Sequence, residues 1–312
     1  MSINLYYEVY KNGNLGDILT KEIFIQIFNV PTKRGTLNNS ECIGIGSVLQ
    51  HFLSHKSNNP TINVWGAGFI EEKKTNSEKF INNMNFLAVR GKYTQKRLME
   101  MYDKSFSNLT LGDPGLLSPM LIDQKVIKKY TLGIIPHYID SEAPVFEAIR
   151  SSISNSTIIN ILGDPIEIIK KISKCELIIS TSLHGLAVAD SFGIPNYWCE
   201  VSKNIAGNRY KFHDYYSAYN QVDEKKPMEL LEIQKFDKQF LEKIKKSYDI
   251  NYVDILEIRN NLISSFPYQN YCENIYNTLD ESNNEHIFAN TDINQNKKRK
   301  INLLSRFKFK GF

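Results

Sequence analysis

At 312 residues, 42% of them apolar and 23% charged, the chain has the composition of a globular protein and is long enough for two domains. Its net charge of +4 is set by the C-terminus: residues 297–312 hold seven Lys and Arg and no acid, which leaves 4 − 7 = −3 for the rest and no basic folded surface for a nucleic acid. Cys42, Cys175, Cys199 and Cys272 lie far apart with no Cys-x-x-Cys pair or His cluster, which argues against a disulfide framework and a zinc site; with no signal peptide and no membrane-spanning apolar run, the expected location is the cytoplasm.

Short β-branched runs alternate with amphipathic segments, the pattern of a parallel α/β sheet. In chain order the expected strands are 4–9, 41–45, 61–65 and 85–89, then 131–135, 157–161, 176–180 and 196–201. Several end in Gly-rich or polar turns, and the carboxyl ends of such strands are where ligands sit. Gly112-Asp113-Pro114 and Pro119 break the pattern and put a seam near 118–130, dividing the chain into an N-terminal α/β domain over 1–122 and a C-terminal one over 123–280. Asp164 is the expected N-cap of a helix and Pro165 its first residue. Beyond Pro227 the pattern is helical to about 264. Residues 281–312 are expected to form a polar, disordered, basic tail.

Five segments stand out together: Asn14-Leu15-Gly16-Asp17, Gly66-Ala67-Gly68-Phe69, Val89-Arg90-Gly91-Lys92, Leu111-Gly112-Asp113-Pro114-Gly115-Leu116-Leu117, and Ser180-Thr181-Ser182-Leu183-His184-Gly185-Leu186 followed by Gly193-Ile194-Pro195. In this order, over about residues 1–220, the chain resembles the polysaccharide pyruvyl transferase family. The resemblance implies two Rossmann-like domains facing across a cleft, the GT-B-like arrangement. It implies phosphoenolpyruvate as co-substrate, with no cofactor and no metal. The implied reaction forms a pyruvate ketal on a sugar diol of a bacterial capsular or exopolysaccharide, or of its lipid-linked precursor. The alternatives are a sugar-nucleotide glycosyltransferase of the same fold and a non-catalytic homologue serving as a binding module in polysaccharide assembly.

Within that frame, Asp17 either caps the first helix or, with Asn14, bonds a sugar hydroxyl. Gly66 and Gly68 form either a tight turn or a ligand-facing loop. The resemblance makes Arg90 the donor-binding guanidinium, a fork suited to carboxylate and phosphate, and His184 a catalytic or phosphate-binding histidine. Many members carry Arg where Ser182 stands, so one contact is absent or supplied from elsewhere. The resemblance implies a lysine on the donor phosphate at about this distance beyond the histidine, a spacing that Lys203 fits better than Lys211, and His137 is either a cleft residue or structural. Substituting Arg90→Ala or His184→Ala is expected to remove turnover at nearly unchanged melting temperature. The tail mixes its cations with Ile301, Leu303, Leu304, Phe307, Phe309 and Phe312, a composition suited to peripheral contact with the anionic inner face of the membrane.

Overall fold

Strands buried on both faces read as near-continuous apolar runs, and the chain contains two sets of them. A computed structural model describes residues 2–8, 13–59, 61–74, 77, 79–103, 105–122, 126–202, 204–207, 209–219 and 225–269. The first set is β1 (Ile3–Tyr6), β2 (Thr32–Arg34), β3 (Cys42–Ile43), β4 (Thr61–Trp65), β5 (Asn83–Val89) and β6 (Thr110–Leu111). They form a six-stranded sheet, β2-β1-β3-β4-β5-β6, with every pairing parallel. The second set is β7 (Tyr130–Ile135), β8 (Ser156–Ile158), β9 (Cys175–Ser180), β10 (Asn196–Glu200) and β11 (Met228–Glu229). Their order is β11-β10-β9-β7-β8, again all parallel.

The α-helices among the described residues are α1 (Leu15–Glu22), α2 (Lys92–Tyr102), α3 (Pro144–Ser152), α4 (Pro165–Ser173), α5 (Leu183–Ser191), α6 (Tyr210–Tyr216), α7 (Lys238–Lys246) and α8 (Tyr252–Ser264). α4 forms where its signals put it. Asp164 Oδ1 accepts from the Ile166 and Glu167 amides at 2.8 and 3.1 Å, Pro165 opens the helix, and Ile168, Ile169 and Ile172 face the core. α5 is apolar on nearly all sides because it is covered twice, by β9 and β10 and by the 3-10 segment Pro114–Leu121.

Three departures from the sequence reading have physical causes. Edge strands β2, β6 and β11 are two or three residues long, too short to carry a period. α1 begins at Leu15 with Asn14 at its N-cap position and Asp17 in its first turn, so Asp17 is not the cap. The helical run beyond Pro227 is broken into β11, a 3-10 turn at Leu230–Glu232, α7, and α8 capped by Asn251.

α8 returns to the first sheet. The Trp65 indole N–H donates to Leu262 O at 3.0 Å, Arg259 donates to Leu116 O and Ser191 O at 3.0 and 2.7 Å, and Phe28 stacks on Phe266 at 3.6 Å between ring centres. α8, the last helix among the described residues, thus packs on the first half through Trp65 and Leu116 and on the second through Ser191, and both sheets lie in one unit, Met1–Glu273. The basic stretch 297–312 lies outside the described residues. No helix among the described residues is long and apolar enough to cross a membrane.

Candidate active site

Both sheets reverse their winding once. From β1 the chain goes to β2 on one side and β3 on the other, and from β7 to β8 on one side and β9 on the other. Crevices at the carboxyl ends of such strand pairs are where α/β sheets hold ligands. The residues there are Asn14 after β1, Ser47 after β3, His137 after β7, and Thr181–His184 after β9. The two edges meet: Leu15 N donates to Ile161 O at 2.8 Å, Asn14 pairs with Leu162 as an isolated antiparallel bridge, and His184 packs on Gly16.

His184 is the second residue of α5. The polar turn before it is satisfied without it: Ser182 N bonds Ser180 Oγ at 2.9 Å and His137 N bonds Thr181 Oγ1 at 2.7 Å. Ser182 itself is buried at the N-cap position. The imidazole lies flat on the backbone at Gly16, where an ideal Cβ would fall 1.9 Å from Nδ1. Only glycine leaves room for the ring. Its Nε2 is buried and, among the described residues, has no hydrogen-bond partner, nor has the buried Asn14 Oδ1. Orphaned buried polar atoms are rare and call for an explanation. Burial pushes the His184 imidazole down to about 3, reinforced by the positive charges of Lys211 and Arg90 and then by His137. The ring is neutral at physiological pH.

The same groups reappear around its neighbours. His137 is 7% exposed, and burial followed by the charge of Lys211 takes it down to about 3. Its Nδ1 accepts from Ile139 N at 3.3 Å, which leaves Nε2 as the protonated nitrogen. Lys211 on α6 is 9% exposed with its ammonium 5.5 Å from the Phe212 ring centre, and no ion pair holds it among the described residues. Burial lowers it to about 8, Arg90 adding to the shift and Asp17 opposing it. Asp17 is half-buried and raised to about 7, first by burial, then by the negative charge of Glu8, with Lys211 opposing. A buried ammonium with no ion pair among the described residues, two neutral imidazoles and a carboxyl near half-protonation at pH 7 form one electrostatically coupled cluster, the kind of grouping found where anions bind and protons move.

Arg90 is placed differently from an open fork. It is fully buried after β5, with Nε on Asp214 Oδ2 at 2.8 Å, Nη1 on Ser47 Oγ at 2.5 Å and Nη2 on Phe69 O at 2.5 Å. Asp214 on α6 also accepts from Thr94 N and Thr94 Oγ1 at 2.8 and 2.7 Å, capping α2 from the other half of the chain. Gly68 makes room for this ion pair, since a Cβ there would sit 2.6 Å from the guanidinium carbon. Gly66 has φ +91 and would strike Pro114, which identifies it with the tight turn. Arg90 therefore acts on His184 and Lys211 as a fixed positive charge. Lys203 lies outside the described residues.

Asp214, Ser47 and Gly16 carried no assigned role in the sequence. Asp214 is 124 positions from Arg90, and a single sequence holds no signal for such a pairing.

The chain belongs to the polysaccharide pyruvyl transferase family, whose model matches residues 5–203. Two relatives share parts of it. An uncharacterized protein of Acanthamoeba polyphaga mimivirus is 37% identical over 136 residues, 42% of this chain and 47% of that protein. The succinoglycan biosynthesis protein ExoV of Rhizobium meliloti (strain 1021) is 26% identical over 211 residues, 67% of this chain and 63% of that protein. The chain thus spans less than two thirds of the length of either. No solved structure matches it.

Proposed function

We propose that the chain transfers the enolpyruvyl group of phosphoenolpyruvate to a sugar diol of a surface polysaccharide or its lipid-linked precursor, releasing phosphate and closing a pyruvate ketal. Family membership and the name of the succinoglycan relative support the reaction class. The observation that carries the site is the orphaned His184 Nε2 within electrostatic reach of the buried Lys211, which no ion pair holds among the described residues. The donor brings nearly three negative charges, and a pocket for it needs cations and hydrogen-bond donors not already spent.

Lys211 takes the phosphate in this reading. The fixed charge of Arg90 supplies attractive potential, and His137 Nε2–H donates to the carboxylate or phosphate. The bound anion raises the His184 pKa from its low value, so that the protonated ring delivers a proton to the methylene carbon. Asn14 and Asp17 hold the acceptor diol from the first sheet. Two parallel α/β sheets in contact at Leu15–Ile161 and Asn14–Leu162 support a GT-B-like reading with donor and acceptor on opposite walls. The basic segment 297–312 would keep the enzyme near lipid-linked acceptors. The test is incubation with phosphoenolpyruvate and candidate glycans, measuring phosphate release and the mass gain of one pyruvate ketal. Release of a nucleoside diphosphate from a sugar nucleotide, with none of phosphate from phosphoenolpyruvate, would overturn the proposal.

A further inference from the structure

At the first sheet's own crevice three side chains close a hydrogen-bonded ring. Tyr6 ends β1, Glu8 follows it by two residues, and His51 lies in the 3-10 turn Leu49–Phe52 after β3. The Tyr6 hydroxyl donates to Glu8 Oε1 at 2.5 Å. His51 Nδ1 lies 3.1 Å from the Tyr6 oxygen and 3.2 Å from Glu8 Oε1. Burial, then the bond to Glu8, raises the buried Tyr6 phenol, so it keeps its proton and spends it on the carboxylate. Nδ1 must then be the donor to both oxygens, which fixes the tautomer and leaves the lone pair on Nε2. Among the described residues Nε2 has no partner, and the His51 and Glu8 side chains are 37% and 45% exposed. A carboxylate holding Nδ1–H while Nε2 faces solvent is the arrangement of an oriented general base. The charged groups around it are Glu8 itself, Asp17 on α1 and Arg34 on β2.

Resting on the pyruvyl-transfer reading, we propose that His51 is the base that takes the proton of the attacking sugar hydroxyl, with Glu8 and Tyr6 as its positioning residues. The hydroxyl oxygen bonds to C2 of phosphoenolpyruvate while its proton passes to His51 Nε2. The C2=C3 π pair takes a proton at C3 from the donor-side acid, giving the methyl group. The C2–O bond to phosphate then breaks, and phosphate leaves with that electron pair. The second hydroxyl closes the ketal, and its proton leaves with the phosphate. Of the two hydroxyl protons, one replaces the proton given to the methyl group and the other ends on phosphate. The base stands beyond β3 of the first sheet and the acid beyond β9 of the second, and Asp17 lies within electrostatic reach of both Glu8 and Lys211.

The experiment uses the full chain with phosphoenolpyruvate and a panel of glycans bearing 1,2- and 1,3-diols, comparing wild type with His51→Ala, Glu8→Gln and Tyr6→Phe. Removing a general base costs about 10²–10⁴-fold in turnover. His51→Ala should lose at least 100-fold in kcat with KM for phosphoenolpyruvate within about twofold, and added imidazole should restore part of the rate. Glu8→Gln and Tyr6→Phe should lose less, again in kcat. Tyr6→Phe also serves as the folding control, since it keeps the aromatic contact with Phe52 at 4.8 Å. Wild-type turnover with His51→Ala at wild-type kcat, or lost without imidazole rescue in a folded variant, overturns this inference alone. A wild type that releases no phosphate with any acceptor overturns the underlying reading and this inference with it.

Discussion

Replacing Arg90 by alanine removes the cation of an ion pair whose two side chains are both fully buried and 2.8 Å apart. Asp214 would keep its two bonds from Thr94 but lose its counter-charge in a site closed to water. Breaking a buried pair from one side costs about 3–5 kcal/mol. Ser47 Oγ and Phe69 O would each lose a donor as well, and these losses overlap with the first. Taking ~4 kcal/mol, at ~2–4 °C per kcal/mol for a chain of this size, the melting temperature should fall by about 8–16 °C. That reverses the sequence-based expectation of an unchanged melting temperature for this residue. Differential scanning fluorimetry on Arg90→Ala, Asp214→Ala and the double variant gives a thermodynamic cycle. The double variant should be clearly more stable than the sum of the singles, because it leaves no lone charge. Single variants melting within 2 °C of wild type, or strictly additive losses, would refute the pairing.

The remaining predictions are smaller in scope. Gly16→Ala places a Cβ 1.9 Å from His184 Nδ1 and should cut turnover by at least tenfold while leaving helix content unchanged by circular dichroism; wild-type kinetics would mean the imidazole does not rest there. Lys211→Met should be more stable than wild type at pH 7. Burial depresses the folded pKa to about 8 from an ordinary 10.5, a cost of about 3 kcal/mol at most that is full below pH 8 and fades as pH rises to 10.5. The same variant should lose phosphoenolpyruvate binding by calorimetry; equal stability at pH 7 and pH 10.5 relative to wild type would contradict the burial argument. Asp17 has the opposite linkage. Its folded pKa is raised from 3.8 to about 7, so wild type should lose stability relative to Asp17→Asn as pH rises from about 4 to about 7, and a flat difference across that window would be evidence against it.

Much of this was legible in one sequence. The long strands were readable because a parallel strand covered on both faces is apolar over its buried stretch, as in residues 132–135 of β7 and 177–179 of β9. Asp164-Pro165 was readable because capping is local. His184 and His137 could be placed at a carboxyl edge because each follows a strand by only a few residues. The Arg90–Asp214 pair, the seat of His184 on Gly16 and the return of α8 onto Trp65 were not legible. Each joins residues more than a hundred positions apart, and nothing in the local pattern of either partner names the other. Arg90 shows the consequence: an arginine after a strand next to glycine reads the same whether it opens into a cleft or closes a buried ion pair. Spacing from the histidine favoured Lys203 over Lys211; Lys203 lies outside the described residues, and Lys211 is buried within electrostatic reach of Arg90 and Asp17.

Pyruvyl transfer by this chain requires His184 to be a catalytic rather than a structural histidine. Its Nε2 has no hydrogen bond to lose among the described residues, so His184→Asn should cost little stability. The direct measurement is phosphate release from phosphoenolpyruvate, with an acceptor that wild type uses, by a His184→Asn variant whose melting temperature is recorded alongside. The account predicts a loss of at least 100-fold in kcat with melting within about 2 °C of wild type. A variant that turns over at the wild-type rate, or one that loses activity only because it no longer folds, would contradict it.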